Sequence, residues 1–278
     1  MIWAAQNKYW GKIEEATKLW RSLGIQHIMV KNDSKNNFRL INTDGSMPIE
    51  NYKALSKLQQ EHGVQYHFHP YNLAVHDKII THPDEENLPK FRGFLKDLDN
   101  IISDYNFYPL ITLHLPFTIN LKYNISLSEQ EAMSMGEALF SGLELKSKVA
   151  LENMYTPGRN QRDMEIFLLG YSPEHFAKVI GNNKNIGLCI DIGHANLCEK
   201  PTSEFLESPY PVYSVHLHGN DWRGDWHLMP NAKSVKDVPG TISAIKKCQG
   251  PVVLEIVDRT LRKEDIIECM QYWQALVE

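Results

Sequence analysis

The stretch Val212-Tyr-Ser-Val-His216-Leu-His218-Gly-Asn-Asp221-Trp-Arg-Gly-Asp225-Trp-His227 decides how the chain is read. Its first part alternates, Val215 and Leu217 against His216 and His218. That is the period of a strand carrying both imidazoles on one face. A Gly-Asn-Asp turn follows, and Asp225-Trp226-His227 then offers a carboxylate and an imidazole two residues apart. A strand that delivers nitrogen donors at its C-terminal end, and runs into a loop delivering more, is how a parallel barrel builds a metal site. A His-rich surface loop is the plainer account of this stretch alone, and the other strands tell against it.

Working outward, strand-like and helix-like segments alternate along the whole chain. Ile2 to Ala5 reads as a first strand, and Lys12 to Leu23 as a helix closed by Gly24. Ile25 to Val30 is a second strand, followed by a helix from Pro48 to His62 that ends at Gly63. Val64 to Pro70 is the third strand, with a helix over Leu88 to Tyr105. Pro109 to Phe117 is the fourth, with a long helix expected over Ser126 to Lys148. Val149 to Met154 is the fifth, and one or two helices broken near Gly170 are expected over Asp163 to Ile180. Ile186 to Asp191 is the sixth strand, with a short helix near Ser203 to Glu207. The opening stretch is the seventh, with a helix over Val235 to Lys247. Pro251 to Val257 is the eighth, and a helix over Lys263 to Val277 closes the chain.

Eight strand-helix pairs whose strands are apolar runs predict an α/β fold, a single (β/α)8 TIM barrel in one domain over residues 1–278. The length of 278 residues suits a barrel of about 250 residues. A doubly wound open sheet is disfavoured, because no Gly-rich phosphate loop follows the first strand. Net charge is −5 with His neutral, and no Lys/Arg-rich run stands out, so composition shows no basic nucleic-acid footprint. The four cysteines are scattered without C-x-x-C spacing, and no apolar run reaches the ~18 residues of a membrane span. A cytoplasmic setting with no membrane partner is the expectation.

Six consecutive expected strands, the third to the eighth, end in a metal-binding residue: His69, His114, Glu152, Asp191, His216 and Glu255. One ionisable group in an apolar strand is more often a satisfied structural one. Six in corresponding places, at the end where barrel active sites lie, point to coordination. Imidazoles with carboxylates suit Zn²⁺, Mn²⁺ or Fe²⁺ better than the all-oxygen cages of Ca²⁺ and Mg²⁺. Glu152 and Glu255 are the natural bridging or proton-transferring pair. Asp191 and His194, three apart, can serve adjacent metals, and Asp225 and His227 can complete an outer metal with His194.

The motifs His69-Pro70-Tyr71, His114-Leu-Pro, Leu151-Glu152-Asn153, Cys189-Ile-Asp191-Ile-Gly-His194, His216-Leu-His218, Asp225-Trp-His227 and Leu254-Glu255 resemble those of the endonuclease IV/xylose isomerase-like TIM-barrel superfamily over nearly the whole chain. That superfamily includes AP endonuclease family 2 and a broad sugar phosphate isomerase/epimerase group. The resemblance to endonuclease IV implies three zincs: His69, His114 and Glu152 on the first; Glu152, Asp191, His216 and Glu255 on the second; His194, Asp225 and His227 on the third. The resemblance to the isomerases and epimerases implies one ion held by Glu152, Asp191, His216 and Glu255, with the two glutamates shuttling a proton beside a carbonyl or hydroxyl.

Departures favour the second group. The nuclease's Asp-Thr-Cys-His reads Asp191-Ile-Gly-His194 here, its segment before the Asp-x-His is shortened, and its Gly-Glu-Gly is replaced by Leu228-Met-Pro-Asn-Ala. The expectation is therefore a divalent-metal-dependent sugar or sugar-phosphate isomerase/epimerase using one to three Zn²⁺ ions or Mn²⁺, with Glu152 and Glu255 catalytic. The alternative is an endonuclease IV-like zinc phosphodiesterase acting on abasic DNA, favoured by retention of all nine donor positions. A barrel that only binds a sugar or protein is a third reading, which gives no reason to keep nine donors. His67, His218, Arg159 and Trp222 are expected to touch substrate, with Trp226 and Tyr71 as further aromatic candidates. His76 and His82 read as exposed loop residues.

Overall fold

The computed structural model describes residues 1–7, 12–32, 38–71, 73–75, 78–81, 84–161, 165–198, 200–257 and 261–278. Eight parallel strands close a barrel: β1 Ile2–Gln6, β2 His27–Lys31, β3 Gln65–His69, β4 Leu110–His114, β5 Lys148–Glu152, β6 Ile186–Asp191, β7 Val212–Leu217 and β8 Pro251–Leu254. They pair in chain order, and β8 returns to β1 through Ile2 opposite Pro251 and Ala5 opposite Leu254. Every residue of β6 and β7 is buried, because helices cover the barrel outside and side chains fill it inside.

The outer ring holds α1 Ile13–Ser22, α2 Ile49–His62, α3 Asn87–Asp104, α4 Glu129–Phe140, α5 Pro173–Ile180, α7 Thr202–Leu206, α8 Val238–Lys247 and α9 Lys263–Val277, while the short, wholly buried α6 Ile192–Asn196 follows β6 directly. Their apolar stripes make the main core with the outward faces of the strands. Trp20 and Trp273 lie at its fully buried centre. Trp20 also donates its indole N–H to the carbonyl of Gln6 at 3.0 Å, which ties α1 to the end of β1.

Two helix expectations are corrected. The helix read over Ser126 to Lys148 is only α4. It starts at Ser128, whose hydroxyl accepts from Glu131 N while the Glu131 carboxylate accepts from Ser128 N, and it stops before Gly142 at φ +62°. The polypeptide from there to β5 is held by Asp99, whose carboxylate accepts from Lys146 N and Ser147 N at 2.8 Å each. The helix read over Asp163 to Ile180 is only α5. Before it, Ile166–Leu168 is extended and pairs antiparallel with Phe117–Asn120, which pairs in turn with Ile125–Ser126. Gly170 at φ +111°, a conformation that L side chains rarely adopt, separates strand from helix, and a Cβ there would crowd the Glu152 carbonyl at 3.0 Å. This three-stranded flap stands on the C-terminal mouth of the barrel.

Candidate metal centre

Inward-facing positions alternate along each barrel strand, so the strand ends form one ring: Gln6, Lys31, His69, His114, Glu152, Asp191, His216 and Glu255. Register aligns its members, with Lys31 opposite His69, His114 opposite Glu152 and Asp191 opposite His216. The loop after β7 returns over the ring. Gly219 and Leu228 exchange backbone hydrogen bonds at 2.9 Å, and Asp225 N donates to Asn160 Oδ1 at 3.1 Å. His227 adopts the left-handed conformation at φ +51°, which turns its ring back towards the mouth.

Glu152 is the hub. Its Oε2 lies 3.1 Å from His69 Nε2, 3.4 Å from His114 Nε2 and 3.3 Å from His216 Nδ1, and its Oε1 lies 3.3 Å from His194 Nδ1. His216 Nδ1 also faces Glu255 Oε1 at 3.2 Å and Asp191 Oδ2 at 3.7 Å. Asp225 Oδ2 stands 3.4 Å from His194 Nε2 and 3.1 Å from His227 Nε2. The nine expected donors thus form one continuous cluster at the barrel mouth.

The donor set fits divalent ions. His69 Nε2, Glu152 Oε2 and both nitrogens of His216 are buried without a hydrogen bond, a costly state unless something else satisfies them. Donors about 2.0–2.2 Å from a shared zinc stand roughly 3.3–3.5 Å apart, the spacing seen here. The other ring nitrogen of three histidines is fixed by a backbone carbonyl. His69 Nδ1 donates to Thr112 O at 3.0 Å, His194 Nδ1 to Asn153 O at 2.9 Å and His227 Nδ1 to Glu255 O at 2.8 Å. That leaves each Nε2 pointing into the cluster, the outer-shell arrangement of a ligating imidazole.

Burial alone would push the carboxylates up and the imidazoles down, but the cluster opposes it. His216 and His114 hold the Glu152 carboxyl well below the usual range. His194 and His218 do the same for Asp191, and His227 and His194 for Asp225. Lys31 and His216 bring Glu255 down to about 2. Conversely, Asp191 and Asp225 raise His194, and Asp191 raises His218. The neighbouring Cys189, Glu255 and Glu152 raise His216. His69 goes the other way, to about 3, because burial and the nearby Lys31 outweigh Glu152.

Sequence reasoning passed over Lys31 and Gln6, the ends of β2 and β1. Lys31 is 8% exposed, and its ammonium lies 2.7 Å from Glu255 Oε1. The signal was present, since a lysine closing the apolar run Ile-Met-Val is as anomalous as a glutamate closing one.

A cavity of about 240 Å³ opens on the cluster, lined by Lys31, His114, Glu152, His194, Asp225, His227 and Glu255 among others. Its other wall is apolar and aromatic: Tyr71, Met154, Tyr155, Ile166 and Leu168. The last two belong to the flap.

The four residues expected to touch substrate are placed differently. His67 is fully buried one layer beneath His69, does not line the cavity, and is held well below its ordinary pKa by burial. Arg159 and Trp222 line a separate groove beside the cavity, with Asn196 and Lys236. His218 is buried against Asp191, its Nε2 3.0 Å from Oδ1. Trp222 and Trp226 are 45% and 40% exposed. His76 and His82 lie outside the described residues. No helix among the described residues is long and apolar enough to cross a membrane.

Among known proteins, the uncharacterised protein MJ1311 of Methanocaldococcus jannaschii is 29% identical over 121 residues, 41% of this chain; the match spans 38% of that relative's length. The fold superposes on D-psicose 3-epimerase from Clostridium cellulolyticum H10 with a TM-score of 0.72 at 12% identity, covering 100% of both chains. It also superposes on an AP endonuclease, family 2, from Brucella melitensis with a TM-score of 0.67 at 13% identity, covering 98% of this chain and 99% of that one. At such identities these likenesses show the fold alone. The sequence signature of the xylose isomerase-like TIM barrel matches residues 18–276, and the chain belongs to that family.

Proposed function

We propose that this protein is a divalent-metal-dependent isomerase or epimerase acting on a small sugar or sugar phosphate. One observation carries the reading: two buried carboxylates, Glu152 and Glu255, converge on His216 Nδ1 at 3.3 and 3.2 Å and line a small cavity walled by the flap. A cavity of about 240 Å³ lies below the ~300–1,000 Å³ of drug-sized sites and suits a compact polar substrate. The flap residues Ile166 and Leu168 line its apolar side.

Glu152, Asp191, His216 and Glu255 would hold the reacting ion. Bound there, it would polarise the carbonyl and a neighbouring hydroxyl oxygen of the substrate and acidify the C–H beside the carbonyl. Glu152 and Glu255, which converge on His216 Nδ1, would take the proton from that carbon and deliver it to the neighbouring carbon for isomerisation, or to the opposite face of the same carbon for epimerisation. Lys31 holds Glu255 ionised and ready to accept. Tyr71, Tyr155 and Met154 offer an apolar wall for the sugar ring and exclude water from the proton transfer.

The retained trio His194, Asp225 and His227 favours a second reading, a zinc-dependent phosphodiesterase acting on abasic DNA. Reconstituting chelator-treated protein with Zn²⁺, Mn²⁺ or Co²⁺ and screening ketoses, ketose phosphates and an abasic duplex separates the two. Turnover of a sugar that is abolished in both Glu152→Gln and Glu255→Gln is the expected result. Metal-dependent nicking of the duplex, with no sugar turned over, overturns it.

A further inference from the structure

Gly193 and His218 form one steric feature. A Cβ built on Gly193 would lie 1.8 Å from His218 Cε1 and 2.2 and 2.4 Å from its two ring nitrogens. The imidazole therefore occupies the space that any side chain at 193 would need. Asn220 locks the same place, its amide donating to Gly193 O at 2.6 Å. Seated there, His218 is fully buried and sandwiched between the two halves of the cluster. Its Nε2 is 3.0 Å from Asp191 Oδ1 and 3.8 Å from Asp225 Oδ1, and its ring stacks on His227 with centroids 4.1 Å apart at 15°. One donor atom each from His218, Asp225 and His227 lies within 4.8 Å of the others, as does one each from Asp191, His194 and His218.

We propose that His218 is a fourth protein donor to an outer ion held by His194, Asp225 and His227, and that it closes that site. Three protein donors leave a position open for water or substrate, whereas four make a saturated, structural site. A closed outer ion cannot grip a phosphate oxygen. Its work is to pin the loop carrying Asp225 and His227 over the cavity, so that substrate chemistry belongs to the inner set alone. The inference rests on the reading that the cluster binds divalent ions, and it is tested without any turnover assay.

The test counts ions. Chelator-treated protein is reloaded with Zn²⁺ and weighed by native mass spectrometry, then reloaded with Co²⁺ for the visible spectrum. His218→Ala and Gly193→Ala are each expected to carry one ion fewer than wild type, with the outer ion bound at least ~100-fold more weakly. Glu255→Gln is expected to keep that ion and its strong four-coordinate cobalt absorption. His218→Ala removes atoms from a packed site and tests the idea even if Gly193→Ala does not fold. An unchanged ion count and cobalt spectrum in His218→Ala would overturn the proposal and leave His218 as a hydrogen-bond partner of Asp191. A wild type that binds a single ion would also overturn it. A wild type that binds none would remove this inference and the proposed function together. Correct ion counts with no sugar turned over would sink the proposed function and leave this inference standing.

Discussion

Replacing Lys31 with methionine is expected to destabilise the metal-free protein by about 3 kcal/mol at neutral pH. The ammonium is buried and 2.7 Å from Glu255 Oε1, and it is the strongest of the groups that hold that carboxyl at about 2 rather than 4.5. A gap of that size, at about 1.4 kcal/mol per pKa unit, corresponds to roughly 3 kcal/mol, and breaking a buried ion pair generally costs about 3–5 kcal/mol. His216 and His227 still face Glu255 after the change, which keeps the cost near the lower figure. The sign with pH follows from the direction of the shift. Because the folded-state pKa of Glu255 is depressed, its contribution is present above about 4.5 and fades as pH falls towards 2. Urea unfolding of chelator-treated wild type and Lys31→Met, at pH 7 and at pH 3, reads both effects. In thermal melts the pH 7 difference appears as about 5 °C for a chain of this size. The gap should shrink to about half at pH 3, and Lys31→Arg should recover most of it. A Lys31→Met variant within about 0.5 kcal/mol of wild type at pH 7, or a penalty that does not change on acidification, would refute the reasoning.

Other consequences follow from the same geometry. Carboxylates raise His194, His216 and His218, while ligation needs them neutral on the side facing the ion, so metal uptake at pH 7 should expel protons and weaken as pH falls towards 5.5. Titration calorimetry in buffers of different ionisation enthalpy measures this, and a buffer-independent heat would contradict it. Asn153 is fully buried; it accepts from Asp191 N at 2.6 Å and donates to Asp191 O at 3.0 Å. Asn153→Ala should cost about 2–4 kcal/mol in urea unfolding and weaken ion binding, since it strands two backbone groups and frees the residue that carries the ligand. Gly170→Ala, at φ +111° and with a Cβ 3.0 Å from the Glu152 carbonyl, should cost about 1–3 kcal/mol or more. The same variant should disturb the flap; an unaltered melting curve would show that the strand-to-helix corner is softer than its geometry implies.

The barrel was legible because its signal is local and repeated. Apolar runs closed by His69, His114, Glu152, Asp191, His216 and Glu255 each announce a buried strand that ends in a polar site, and the closed barrel brings those ends together. Spacing alone also placed His194 beside Asp191, because three residues make one turn of α6. What stayed hidden depends on partners distant in the chain. Ile166–Leu168 is extended because it pairs with Phe117–Asn120, about fifty residues away, a partner its own sequence does not announce. The seat that Gly193 makes for His218 is a steric fit between α6 and the end of β7, invisible in either segment alone. Arg159 and Trp222 lie near the donor motifs in sequence, which does not fix where their side chains go. The loops that carry them turn their side chains into the neighbouring groove.

Solvent deuterium exchange tests the central claim most directly. Metal-loaded protein would be incubated in D₂O with a panel of ketohexoses and ketose phosphates and followed by proton NMR. Deuterium entering a carbon next to the carbonyl, only with a divalent ion present and not in Glu152→Gln or Glu255→Gln, is the expected result. No exchange in any sugar by a protein that carries its ions and cuts abasic DNA would contradict it.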